Sequence, residues 1–213
     1  MLHVIALSGK MGCGKSTLAH VLCRHFLDQK AMALVYSFGS AVKKETAEAF
    51  GFPLVDATSQ EGKLKKRSYN PTWEGILPCP SVWKDRGWTT VREILQTYGY
   101  YMRQVSPGYW VSKVAEDLDE DKFLSDRMGI PIYRIIDDMR HPDEMEMLKK
   151  YGAFCIRIEP YPAWKPGSYA KHYSEIALDD VPADEWDHIV RVDYGCLQDA
   201  ADDIIKHMKG KQK

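Results

Sequence analysis

Eight residues near the start of the chain, Gly9-Lys10-Met11-Gly12-Cys13-Gly14-Lys15-Ser16, fit the pattern G-x-x-x-x-G-K-[ST] without a mismatch. Residues of these types at this spacing can hold a chain of phosphates. Glycines let backbone N–H groups turn inward around phosphate oxygens, and a helix starting near Gly14 adds the positive end of its dipole. Lys15 is placed to reach the β- and γ-phosphates, and the Ser16 hydroxyl to ligate Mg²⁺. Gly12, Cys13, Gly14, Lys15, Ser16 and Thr17 are therefore the candidate contacts to ATP, with Cys13 at a variable position of the loop. The flanks agree. Residues 3–7 are a short apolar run that predicts a buried strand, and Leu18, Val21, Leu22 and Phe26 recur at helical spacing over 16–29.

A second set of chemical groups lies on a predicted helix over 91–105, opened by the capping-box sequence Thr90-Val91-Arg92-Glu93. Arg92, Gln96, Gly99 and Arg103 fall within about 60° of one another around its axis. Ile94, Leu95, Tyr98, Tyr101 and Met102 take the opposite arc, which is the face to be buried. Arginine forks suit a phosphate and an amide suits a base edge. Gly99, between them, is expected to leave room for a ligand to approach. Charges on a helix face are ordinarily just solvated, and the stripe alone does not decide between the two readings.

Asp137-Asp138 closes the apolar run 131–136, where parallel sheets bind their ligands. Strand alternation predicts that only one of the two carboxylates faces the site. Ser16 and Asp137 are the candidate metal ligands and Asp138 a candidate catalytic residue, with either carboxylate able to serve Mg²⁺ or its waters. Arg140, two residues on, is placed to stabilise charge on a transferred phosphoryl group. The basic run at 63–67 reads equally well as a solvated face or as phosphate contacts. The seven histidines show no metal-ligand spacing, and His172-Tyr173-Ser174-Glu175 carries no chemistry legible from residue type.

The elements that must position these groups alternate. Strands are expected at 3–7, 33–38, 131–136, 153–158 and 188–192. Helices are expected at 16–29, 40–50, 91–105, 109–124, 142–152 and 197–208. Strands separated by helices imply a five-stranded parallel sheet covered on both faces, an α/β fold of the P-loop type. The stretch 53–88, with Pro71, Pro78, Pro80 and three tryptophans, is expected to be an irregular insertion, and 160–175 a lid-like loop. The 213 residues suit one domain carrying that insertion. Lys+Arg number 29 against 30 Asp+Glu, a balance that argues against a protein built to neutralise a nucleic-acid backbone. Five cysteines in no C-x-x-C pair predict reduced thiols. Without a signal-peptide pattern or an apolar run of membrane length, the expected setting is the cytoplasm.

Several segments together resemble the bacteriophage deoxynucleoside monophosphate kinases. They are the loop at 9–17, Ser37-Phe38 with Lys43, Thr90 to Gly99 with the later Arg103, Tyr109-Trp110-Val111, Asp137-Asp138-Met139-Arg140-His141-Pro142-Asp143-Glu144, and His172-Tyr173-Ser174-Glu175. Residues 57–88 are not covered. The resemblance implies ATP·Mg²⁺ as donor, a nucleoside monophosphate as acceptor and the diphosphate as product, in a host cytoplasm if the gene is phage-borne. It implies Lys15, Asp138 and Arg140 as catalytic residues, and Lys43, Arg92, Gln96, Arg103, Trp110 and Asp138 on the acceptor side. The strand end Arg191-Val192-Asp193 departs from the pattern. Ser174-Glu175 with Leu178-Asp179 is also similar to animal phosphomevalonate kinases, so a small-metabolite phosphate kinase is the alternative. A nucleic-acid-dependent ATPase using the basic run and nearby tryptophans is a further alternative. No N-K-x-D guanine motif is present. No stable nucleic-acid or membrane partner is expected, and a homodimer is left open.

Overall fold

The computed structural model describes residues 1–159, 173–192 and 196–211. The expected lid-like loop and the departure at Asp193 fall largely or wholly outside the described residues. Elements follow in the order β1 (Leu2–Gly9), α1 (Lys15–Asp28), β2 (Met32–Tyr36), α2 (Phe38–Phe50), α3 (Leu54–Thr58), α4 (Gln60–Leu64), β3 (Lys66–Ser68) and a 3₁₀ turn (Pro71–Gly75). Then come α5 (Ser81–Arg86), β4 (Trp88–Thr90), α6 (Val91–Val105), α7 (Tyr109–Met128), β5 (Ile132–Ile136), α8 (Pro142–Lys150), β6 (Phe154–Glu159), α9 (Tyr173–Ile176), a 3₁₀ turn (Ala183–Glu185), β7 (His188–Arg191) and α10 (Leu197–Lys211). The chain divides into two compact units, one of Met1–Phe38 with Val114–Lys213 and one of Gly39–Lys113.

In the first unit five strands form one sheet in the order β2-β5-β1-β6-β7, every pair parallel. Central β1 is buried at consecutive positions, Val4 to Ser8, as a strand covered on both faces must be. Ile5, Leu7, Ile135 and Ile156 pack with Leu18, Leu22 and Phe26 of α1 and with Ala201 and Ile204 of α10. The chain steps from β1 outward to β2, then from β5 back across β1 to β6. Strand order therefore reverses beside β1, and open parallel sheets bind ligands at the carboxyl ends of strands at such a point. The 9–16 loop leaves β1 there, and the turn at 137–141 leaves neighbouring β5. Among the described residues no helix is long and apolar enough to cross a membrane.

The second unit corrects the expectation for 53–88. Instead of an irregular stretch, it holds three short helices, a 3₁₀ turn and the antiparallel β3–β4 pair. Periodicity missed them because each is six residues or shorter. Trp73 and Trp83 are buried with Phe50, Phe52, Leu77, Ile94 and Tyr98 in the unit's own core.

Thr90 closes the capping box at the start of α6: its hydroxyl oxygen accepts from the Glu93 N–H at 3.3 Å, and Glu93 accepts from the Thr90 N–H at 2.8 Å. The Arg86 guanidinium first, then the Thr90 and Thr89 donors, hold the Glu93 carboxyl down at about 2. A depressed carboxyl stabilises the fold above its unfolded pKa and loses that contribution as pH falls through the folded value. Wild type should therefore exceed Glu93→Gln in stability near neutral pH, with the gap closing as pH drops from 4.5 toward about 2. Denaturant titrations across that range check this, and a gap independent of pH would contradict it.

Candidate functional site

In the first unit the 9–16 loop is held by steric necessity. A side chain at Gly9 would place its Cβ 2.6 Å from the Ile158 carbonyl oxygen of the adjacent strand. Gly14, at φ 89°, turns the chain into α1 through a left-handed conformation that other residues enter at a cost. Lys15 then begins the helix and folds back over the loop. Its Nζ donates to the Gly9 and Lys10 carbonyl oxygens, each at 2.7 Å, and the residue is 7% exposed. Burial lowers its pKa, opposed by the nearby Cys13, Glu175 and Asp137. Among the described residues no carboxylate lies within ion-pair distance of this ammonium.

A cavity of about 370 Å³ opens over the loop, lined by Met11, Gly12, Gly14, Lys15, Ser16, Thr17, Asp137, Asp138 and Arg140. Most of the residues picked out for phosphate, metal and phosphoryl contact thus line one space. The Ser16 hydroxyl and the Asp137 carboxylate have no hydrogen-bond partner among the described residues, and both are hard oxygen donors that suit Mg²⁺. The alternation argument fails for the acidic pair. β5 ends at Ile136, so Asp137 and Asp138 lie in the turn beyond the pleat and both line the cavity. They differ in employment instead, since Asp138 accepts the Phe38 N–H at 2.7 Å at the head of α2.

Cys13 needs correction as a nucleotide contact. Its thiol belongs to the core, and its N–H is taken by the Lys10 carbonyl at 3.2 Å, inside the loop. Arg140 is half-buried and ion-paired to Glu175, a partner nothing in the sequence suggested. Lys10 donates to the Glu175 carbonyl at 2.7 Å and pairs with Asp179, which also pairs with Arg157 at 2.6 Å. These links join residues up to 169 apart, so only the fold reveals them.

The second unit carries its own cationic cluster. Burial, then the charges of Lys43 on α2 and Arg92 on α6, push down the pKa of Lys63 on α4. Arg92 donates to Gln60 Oε1 at 3.0 Å, while its Nε is buried without a partner. None of the three cations has a carboxylate partner among the described residues. The basic run at 63–67 is therefore split. Lys63 joins the cluster, Lys65 and Arg67 pair with buried Asp56, and Lys66 lies over the Trp88 ring at 4.1 Å. Trp73 and Trp83, being core, offer no stacking surface for a nucleic acid.

Arg92 and Arg103 share a face of α6, about 16 Å apart along the axis. Two readings change, one on α6 and one on α7. Gly99 does not open space for a ligand. A Cβ there would meet Val42 at 3.2 Å, so the glycine lets α2 pack closely. Trp110 is not placed to touch an acceptor. It is 2% exposed, packs on Tyr98 and Tyr109, and donates its indole N–H to the Gly99 carbonyl at 3.0 Å. Gln96 is exposed.

His188, Asp203 and His207 bring potential ligand atoms within 4.8 Å, a grouping that the spacing of the histidines did not suggest. The two rings are stacked at 4.0 Å and 22°, so their in-plane lone pairs do not converge on one ion. Compared with models of known protein families and with curated proteins, the chain shows no match.

The Trp110 correction is testable. Trp110→Phe should cost about 1–2 kcal/mol of stability through the orphaned Gly99 carbonyl and lost packing. Denaturant melts measure this, and unchanged stability would return the indole to the list of free binding groups.

Proposed function

We propose that the chain is an ATP-dependent kinase transferring a phosphoryl group to a nucleoside 5′-monophosphate, deoxy in preference to ribo, on a P-loop fold. One observation carries the reading: two sets of partly or wholly buried cations, Lys15 in one unit and Lys43, Lys63 and Arg92 in the other, lack carboxylate partners among the described residues. Unpaired buried charge is costly, and an anionic ligand would repay it. Two such sets in one chain suit a reaction between two phosphorylated molecules. The resemblance to phage deoxynucleotide kinases supplies the preference for a nucleoside acceptor.

Phosphoryl transfer asks the protein for positioning and neutralisation, with no covalent intermediate. The backbone N–H groups at Gly12 and from Gly14 to Thr17 would hold the donor phosphates. Lys15 and Arg140 would neutralise charge growing on the transferring group. Mg²⁺, held by Ser16 and Asp137, would supply further neutralisation there. Lys63 and Arg92, with Lys43, would seat the acceptor phosphate. A second reading, a phosphate-bearing small metabolite as acceptor, is favoured by the burial of Tyr98 and Trp110, which removes two aromatic faces that a base would stack on.

The test is incubation with ATP·Mg²⁺ and, in turn, each nucleoside monophosphate and a panel of phosphorylated metabolites, with separation of products. A diphosphate formed from at least one nucleoside monophosphate is expected. Formation only from metabolites would select the second reading, and no transfer to any acceptor would overturn both. Lys15→Ala should lower kcat by at least about 10²-fold, some 3–5 kcal/mol of transition-state stabilisation. Lys63→Ala and Arg92→Ala should each cost about 10- to 100-fold in kcat/KM for the acceptor while leaving ATP affinity in place. Loss of ATP affinity in either would reassign that cluster to the donor.

A further inference from the structure

Glu175 is the point where three parts of the first unit meet. Its carboxylate is buried, the residue being 7% exposed. Oε2 accepts the Met11 N–H of the phosphate-binding loop at 2.7 Å, and Oε1 takes the Arg140 guanidinium. Its carbonyl oxygen accepts from Lys10 Nζ at 2.7 Å, and Lys10 goes on to Asp179, four residues further along the same segment. One acidic side chain thus bridges the loop after β1 and the arginine after β5, and its own backbone is fastened to the residue before Met11.

A carboxylate beside an anion seat needs a reason, because it repels phosphate unless its charge is matched. Two explanations compete. Glu175 could occupy the phosphate's place and be expelled by ligand, or it could stay and set the geometry. Its contacts favour the second. It bonds Met11 at the front of the loop and none of the donors from Gly14 to Thr17, nor Lys15. The cavity over those donors is open with Glu175 in place, and Glu175 is absent from its walls, whereas Arg140 is part of them. Exposing a buried, doubly bonded carboxylate would also be costly.

We infer that Glu175 is a positioning residue, which fixes the Arg140 guanidinium toward the cavity and ties its placement to the shape of the loop. Without the carboxylate, Arg140 loses its counter-charge and swings among rotamers, so little of its charge falls on the transferring group. This rests on the kinase reading for its consequence but not for its structural content.

The test is a double-mutant cycle in the intact chain, using Glu175→Gln, which preserves shape and removes charge, with Arg140→Ala and the double variant. Glu175→Gln should lower kcat by at least about 10-fold with ATP affinity changed less than about 3-fold, and should add no further loss in the Arg140→Ala background. In the free protein, the Arg140 Nη–H resonances should exchange faster with water in Glu175→Gln than in wild type, because Nη1 is the atom that donates to the carboxylate. That readout needs no activity, so it separates failure of this inference from failure of the kinase reading. Undiminished loss in the Arg140→Ala background would show that Glu175 acts elsewhere. Tighter ATP binding by Glu175→Gln would show that it competes with phosphate. An unchanged Arg140 resonance would show that it does not hold the guanidinium. Each of these results overturns the inference.

Discussion

The ammonium of Lys15 lies almost wholly out of solvent, held by two main-chain carbonyls and by no acid among the described residues. Carbonyl dipoles compensate a buried cation only in part, so this position is tolerable if an anion completes it. The surrounding architecture follows from that constraint. Gly9 must be glycine for the loop to pass Ile158, and Gly14 must be glycine for Lys15 to start the helix where it does. The consecutive burial of β1 anchors the loop between two neighbouring strands. β5 then delivers Asp137, Asp138 and Arg140 to the same cavity because it pairs directly with β1.

The second unit repeats the theme with different means. Three helices contribute one cation each, α2, α4 and α6, and the close approach of α2 to α6 at Gly99 brings the first and last of these helices together. Three acids of this unit are committed elsewhere. Asp56 is taken by Lys65 and Arg67, Glu93 by Arg86 and the Thr90 cap, and Glu45 by the hydroxyls of Tyr98 and Tyr109. These three acids are thus withdrawn from the set of bases, which keeps a local positive charge in a chain whose net charge is only −1.

Much of the fold was legible because it repeats at periods a sequence displays. The apolar run of β1, the spacing of Leu18, Leu22 and Phe26, and the box at Thr90 and Glu93 all recur in the structure within a few residues of their expected bounds. The stretch 53–88 was not legible, because elements of six residues or fewer leave no periodicity and its tryptophans look alike whether buried or exposed. Within the site, local motifs such as Gly14-Lys15-Ser16 were readable, since their geometry is set by neighbours in the chain. Glu175 and Lys63 were not, because their partners lie far along the chain. Gly99 misled for a related reason, as a helical wheel gives angles and no knowledge of what packs against them, and Trp110 misled because a resemblance in residue type carries no knowledge of burial.

If the 9–16 loop seats polyphosphate, the response of its own amides is the most direct measurement. In ¹⁵N-labelled protein titrated with ATP·Mg²⁺, the backbone resonances of Gly12, Gly14, Lys15, Ser16 and Thr17 should show the largest displacements, because these N–H groups would exchange water for phosphate oxygens. Cys13, whose N–H already has a partner in the loop, should move less. Saturable nucleotide binding that leaves these five amides in place, or no binding at millimolar nucleotide, would contradict the account.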